Sequence, residues 1–553
     1  MRLFRKAVIL SHRYLGIVLS LLVIMWFATG ITMMYAGGMP RVTPEERLAR
    51  LDPIDFSDIQ LTPAEAAERA AVEGRTTLST VMGRPAYRFG GRSTTTVFAD
   101  TGDILDELSL LQSRAVAARF MRLPVERVHH VRTLHEVDQW TLQTRLPLHK
   151  FRVDDEAGTE LYVQPRTGEV AMMTARRSRG LAWVSTIPHW LYFTALRTNQ
   201  PLWYRLVVWT SALACVLAVL GLVLSITQFR RSQPFRLSAS IPYAGVLRWH
   251  YLTGAVFGFF TLTFAFSGLL SMEPWEWANA RGLELPRNAL TGGPVDLARF
   301  DSMDAGTWDR LLDGRPAKEI EFARMLDAHY FIVRRGAIER DKDDRERLHQ
   351  PYPIRHARIE DDRLLVAAET MTPRRELFDE ASLVARVKAA ADAPILASEM
   401  LTEYDDYYYS RVGQTPLPAL RVKFADPAET WVYIDPSLSV VVTSVTRWGR
   451  VERWVYHGLH SLDFAFLYDS RPAWDIVMIV LCLGGLTTSS LGLVLGIRRM
   501  RRAAKRLTAP EFVTAEGSGG AEGSPQRGTS GTIGTSGTIG TSGTIGTFGT
   551  PGT

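Results

Sequence analysis

The chain has 553 residues, enough for several domains. Charged residues are 22% of it and hydrophobic ones 46%, an ordinary average that hides four long apolar runs separated by polar segments, so a purely soluble protein is excluded. The formal charge of +6 gathers beside the apolar runs, which fits topology signals and lipid headgroup contact and argues against nucleic acid as a partner. Cys215 and Cys482 both fall inside apolar runs, which leaves no disulfide framework and no CxxC zinc spacing.

Residues 1–35 hold a basic N-terminus and a first membrane helix. Arg2, Arg5, Lys6 and Arg13 precede an apolar run over 14–34. The run is too long for a signal-peptide core and no A-x-A site follows, so a retained helix is expected. The polar segment 36–200 opens with LTPAEAAERAAVEG at 61–74, where Thr62 and Glu65 have capping-box spacing. Alternating β-branched and aromatic residues follow at 87–105, where a DTGD turn between two strands predicts a hairpin. A strand–turn–strand unit, ELYVQPRTGEVAMM, lies at 160–173. The second membrane helix is expected over 201–228, a basic loop over 229–249 and the third helix over 250–272. The second polar segment, 273–473, predicts a helix at 380–391 and strands at 419–424, 430–434 and 440–445. The fourth helix is expected over 474–497. Residues 498–553 begin with RRMRRAAKR and end in a GTSGTI repeat that cannot bury a core.

The N-terminus, the 229–249 loop and the RRMRRAAKR stretch fall on one side if all four runs span. By the positive-inside rule that side is cytoplasmic, and the two long segments lie outside.

The chain also repeats. HRYLG at His12 matches HYLTG at His250, with Gly16 and Gly254 four residues on. Thr29-Gly30 matches Ser267-Gly268, small pairs read as helix-packing positions. Further on, His189 matches His460, Trp183 matches Trp454, Trp203 matches Trp474, and GLVLSI at Gly221 matches GLVLGI at Gly492. The unit is helix, outer domain, His-bearing shoulder, helix. Both copies enter from the same side, so the repeat is parallel, about an axis along the membrane normal. The expected fold class is membrane α plus outer α+β, with four membrane helices in two pseudo-two-fold repeats.

Paired histidines across such an axis suit a haem iron, which takes one neutral imidazole on each face in a low-spin electron carrier. His12 with His250 and His189 with His460 would give two centres, one near each membrane surface, as axial iron ligands. With no CxxCH, the haem would be non-covalent. His457 is three residues before His460 and is an alternative ligand. Gly16 and Gly254 either admit a macrocycle or let helices pack. The plainer reading of His12 and His250 is an interfacial contact to lipid. Two looser features remain: His129, His130, His135 and His149, and the stretch EYDDYYYSR at 403–411. Each offers metal donors, and each also reads as ordinary surface.

On these motifs, together with ATG at Ala28, FSG at Phe266 and the shoulders PHWLYF and GLHSLDF, the sequence resembles the PepSY-associated transmembrane proteins, which include bacterial siderophore-iron reductases of the inner membrane. The likeness covers most of residues 1–506. It implies a PepSY-like periplasmic α+β insertion in each half and haem b between the four helices. It also implies reduction of a ferric siderophore, or another ferric complex, in the periplasm. The family shoulder commonly reads His-x-Gly, which here fits neither His189 nor His460, while His457-Gly458 comes near it. No GxGxxG follows a strand, so a cytoplasmic reductase or a quinol is the expected electron donor. Two rival readings are a non-enzymatic PepSY binding or regulatory protein and a permease for an iron complex.

Overall fold

A computed structural model describes residues 2–90, 94–230, 240–278, 282–286, 288–335, 363–410 and 415–507. The GTSGTI tail and much of the basic loop lie outside them. Four helices are long and apolar enough to cross a membrane: α1 (Arg2–Ala36), α7 (Gln200–Thr227), α8 (Gly245–Leu270) and α12 (Ala473–Leu507). Each begins earlier than its apolar run. His12 and His250 therefore sit inside helices rather than at their mouths, with a full turn or more of helix before them.

The polar segments fold as α+β units whose helices start where their caps dictate. In α2 (Pro44–Arg50) and α3 (Pro63–Ala70), Thr43 with Glu46 and Thr62 with Glu65 form reciprocal capping boxes, each followed by Pro at the first turn. Strands β1 (Thr76–Val81), β2 (Arg84–Phe89) and β3 (Thr95–Phe98) follow. The turn after β3 returns only as a single bridge, Val97 to Ile104, so the hairpin expected there is cut short. Next come α4 (Leu110–Met121) and strands β4 (Val128–Leu134), β5 (Leu148–Val153), β6 (Glu160–Gln164) and β7 (Glu169–Thr174). Helices α5 (Arg176–Val184) and α6 (Thr186–Trp190) lead back toward the bundle.

The second segment repeats this order: α9 (Ala305–Leu312), β8 (Ala317–Met325), β9 (Ala328–Arg335), β10 (Arg363–Ala367) and β11 (Thr372–Arg374). Then follow α10 (Glu380–Ala390), β12 (Ile395–Leu401), β13 (Ala419–Phe424), β14 (Trp431–Asp435) and β15 (Val440–Val445). Helix α11 (Arg447–Glu452) continues into a π-helical turn, Arg453–Gly458.

The two segments share a sheet. Strands β4–β7 and β12–β15 form separate four-stranded sheets, but β1 pairs antiparallel with β8 to give one seven-stranded sheet in the order β11-β10-β9-β8-β1-β2-β3. One core lies under it. Leu78, Tyr87 and Phe89 from the first segment pack with Phe322, Phe331 and Trp308 from the second, and Phe56 stacks on Trp308 at 4.8 Å. Each such side chain, fully buried, contributes about 1.5–3 kcal/mol.

Charge crosses the same seam. Glu319 on β8 accepts from Arg47 at 2.5 Å and from Arg334 at 3.0 Å, and Glu321 accepts from Arg75 and Arg334. Burial alone would raise the Glu319 carboxyl, but Arg47, Arg334 and Arg75 outweigh it and hold it below its ordinary 4.5. A depressed carboxyl adds stability above its unfolded pKa and loses it as pH falls through the folded one. The joint should therefore weaken as pH drops below 4.5. Glu319→Ala, which takes one carboxylate away from Arg47 and Arg334, should cost about 2 kcal/mol in thermal unfolding followed at pH 7, and the loss of stability on going from pH 5 to 3 should be smaller in the variant.

Candidate functional site

The histidines matched in the sequence meet in space. His12 and His250 have ring centroids 6.2 Å apart, and His189 and His460 have theirs 6.3 Å apart. The second pair lies at the end of the bundle nearer the sheets. Thr29, which touches His189, is on the same helix as His12, roughly 25 Å along it at 1.5 Å per residue. His457 is not the ring opposite His189. Its imidazole packs on Tyr456 at 4.7 Å, and Tyr456 lies between it and His460. The π-helical turn before Gly458 adds a residue to the local helix and so resets which histidine faces inward.

Each of the four rings is fixed through the same nitrogen. His12 Nδ1 lies 3.2 Å from the Leu217 carbonyl oxygen, and His250 Nδ1 lies 3.0 Å from that of Thr488. A carbonyl only accepts, so both rings carry their proton on Nδ1. His189 Nδ1 is 3.0 Å from Thr29 Oγ1, and His460 Nδ1 is 3.0 Å from Ser267 Oγ. These hydroxyls already donate to Met25 and Thr263 carbonyls at 2.7 Å, so they too accept from the imidazole. All four rings are therefore Nδ1–H tautomers with a lone pair on Nε2. Burial lowers both His189 and His460 from the usual imidazole range, and the facing ring adds to this at His189, so both stay neutral.

Glycines make these bonds possible. A Cβ on Gly221 would sit 3.0 Å from His12 Cε1, and one on Gly492 would sit 3.2 Å from His250 Cε1. Each glycine is four residues after the carbonyl that its histidine uses, where a side chain would lie over that oxygen. GLVLSI and GLVLGI thus begin with the residue that lets an imidazole reach the helix backbone. Gly30 and Gly268 are looser, with a Cβ 3.6 Å from His189 and His460. Gly16 and Gly254 face Leu217 and Thr488 side chains at 3.8 and 3.7 Å, ordinary contact distances.

The shoulders that carry His189 and His460 are built alike. Two residues after each histidine, Leu191 (φ 53) and Leu462 (φ 48) are left-handed, a conformation that costs a leucine of order 1–3 kcal/mol and needs support. Trp203 Nε1 donates to Trp190 O at 2.9 Å, and Trp474 Nε1 donates to Ser461 O at 2.8 Å. The matched tryptophans hold the turns by their indole N–H.

The looser clusters are taken up internally. His129 pairs with Asp154, while His130 and His149 flank Thr133. Among the described residues no three His, Cys, Asp or Glu side chains converge as a metal-ion group. In the stretch that begins at Glu403, Tyr404 and Tyr408 donate to the Thr415 and Pro416 carbonyls. Sequence reasoning missed the Leu217 and Thr488 carbonyls, which no side-chain pattern marks. It also read Thr29 and Ser267 as packing residues, although each hydroxyl anchors an imidazole.

No curated protein matches this chain. A family model does, described as the PepSY-associated TM region, over residues 9–499. The matched stretch takes in all four histidines, both shoulders and the two polar segments, and the chain belongs to the PepSY-associated transmembrane family.

Proposed function

We propose that this protein is an inner-membrane haem-b protein, with two non-covalent haems, that passes electrons across the bilayer to a ferric complex, most simply a ferric siderophore, in the periplasm. The observation that carries the reading is the pair of facing imidazoles, found twice, each ring fixed through Nδ1–H with Nε2 unprotonated. That is the donor state an axial ligand needs, and a ligating histidine typically donates its other N–H to a carbonyl or similar acceptor. Two imidazoles binding one metal at about 2.0 Å each set their centroids roughly 6 Å apart, and the observed separations are 6.2 and 6.3 Å. Two nitrogens alone do not complete a transition-metal shell. A tetrapyrrole brings the other four donors, as the likeness to siderophore-iron reductases implies.

His12 and His250 would hold one haem, and His189 and His460 the other. When bound, the group supplies a reversible one-electron ferric–ferrous couple. The chain's residues orient the imidazoles, keep them neutral and exclude water from the bundle. Matching contacts under the two sequence offsets support a parallel two-fold repeat with a PepSY-like insertion in each half. The basic flanks support cytoplasmic termini and periplasmic sheets. A quinol or a cytoplasmic reductase on the basic side gives up one electron for each ferric ion reduced. The ferrous product binds hard oxygen ligands less tightly, and iron is released from its chelator.

The test is a visible spectrum of the purified protein. A Soret band that sharpens on dithionite addition is expected, and its absence would sink the redox reading. His12→Ala and His189→Ala should each halve the haem content and spare the other centre. Gly221→Val should act like a mild His12 variant, because its side chain would cover the Leu217 carbonyl. We expect the low-spin signal of the first centre to weaken with little change in thermal stability.

A further inference from the structure

The sheets of the polar segments reach down to the histidine shoulders through one loop in each half. In the first half Asp138 begins a tight turn between β4 and β5. Its Oδ1 accepts from the Trp140 and Thr141 amides at 3.0 and 3.2 Å. Its Oδ2 accepts from Tyr162 on β6 at 3.1 Å. The turn projects Gln139 at the shoulder. Gln139 Nε2 donates to Tyr192 O at 2.7 Å, and its Oε1 accepts from Thr194 N at 3.1 Å and Thr194 Oγ1 at 2.9 Å.

In the second half Asp405, between β12 and β13, does the same. Its Oδ1 accepts from the Tyr407 and Tyr408 amides at 2.8 and 2.6 Å, and its Oδ2 pairs with Arg421 on β13. Next to it, the Asp406 carbonyl accepts from Arg453 Nε at 3.0 Å, and Tyr407 Oη accepts from Trp454 Nε1 at 3.2 Å. Arg453 then donates from Nη2 to Asp463 O at 2.8 Å. Asp463 follows the left-handed Leu462 as Tyr192 follows Leu191. The same shoulder carbonyl is thus held in both halves, directly by Gln139 in one and through buried Arg453 in the other. The sequences DQWT and DDYY give no hint of the match.

The held carbonyl is three residues from each histidine, just past a left-handed leucine that tends to relax toward ordinary backbone. Releasing it lets the turn, and the imidazole plane it carries, rotate. We infer that Gln139 and Arg453 are positioning residues for His189 and His460, through which the outer units set the orientation of the sheet-side imidazole pair. The inference rests on the haem reading for its consequence, but the clamp itself does not.

Two measurements separate them. Hydrogen exchange over residues 190–196 tests the clamp with or without haem. Gln139→Ala should speed exchange at the Thr194 amide by roughly tenfold, the scale of one lost hydrogen bond, while Gln139→Glu, which keeps the acceptor to Thr194 but cannot donate to the Tyr192 carbonyl, should restore protection at Thr194 and still shift the sheet-side centre. Unchanged exchange in Gln139→Ala overturns the clamp. Redox titration with low-temperature EPR then reads the imidazoles. Gln139→Ala and Asp405→Ala should each shift the g-values and midpoint of one low-spin centre and leave the other unmoved. A shift in both centres or in neither, with exchange altered as expected, overturns the positioning role. Wild-type protein that shows no low-spin signal overturns the haem reading alone.

Discussion

Both histidine pairs depend on the hydrogen bond from imidazole Nδ1. A histidine on a membrane helix has two nitrogens, a rotatable ring and no water to satisfy it, and an unpaired polar group in that setting costs several kcal/mol. Donating Nδ1–H to a fixed oxygen settles the tautomer and the ring plane, and leaves the lone pair on Nε2. The protein achieves this in two ways. In the pair deeper within the helices the acceptor is a helix carbonyl, reachable only because Gly221 and Gly492 carry no side chain. In the sheet-side pair the acceptor is a hydroxyl that is itself committed to its own helix backbone.

The membrane part was legible in the sequence because its constraints are local. Twenty apolar residues mark a span, and the repeated His, Gly and Trp positions name the residues that meet. The spacing of His12 to His250 and of His189 to His460 in the alignment is reproduced as two ring pairs. What the sequence could not show is which group each matched residue serves. Thr29 and Ser267 look like packing residues until the shoulder histidines arrive from 160 and 193 positions away. His457 and His460 differ only in helical phase, and a π-helical turn decides between them.

The outer part was less legible for a different reason. Caps and hairpins such as Thr62 with Glu65 or the 160–173 unit are written in neighbouring residues, and they form as expected. Edge pairing between β1 and β8 joins residues some 240 positions apart, and nothing local in either strand specifies a partner. The seam becomes specific through the core beneath it and through Glu319 and Glu321, whose arginines come from both segments. Reading each polar segment as a self-contained domain therefore overlooks the sheet they build together, and with it the reason that the two halves of the bundle are held in one register from outside.

A two-fold arrangement cannot extend through its own axis, since two equal side chains would compete for one place, and the bundle centre shows how that is resolved. Phe27 fills the notch at Gly485 and Phe257 the notch at Gly484, whereas the matching positions in the other half carry Leu213 and Ala214 opposite Leu19 and Ala265. Phe27 meets Phe264 edge-on at 6.0 Å, and Phe264 lies 6.1 Å from His460. The layer between the two histidine pairs is thus aromatic and apolar, built mostly with Leu19, Val23, Ala214 and Cys482. Such a layer offers no site to a proton or a hydrated ion. The halves are alike where they fix imidazoles and unlike where they meet, so two matched ring pairs sit at either end of a bundle whose middle is packed and apolar.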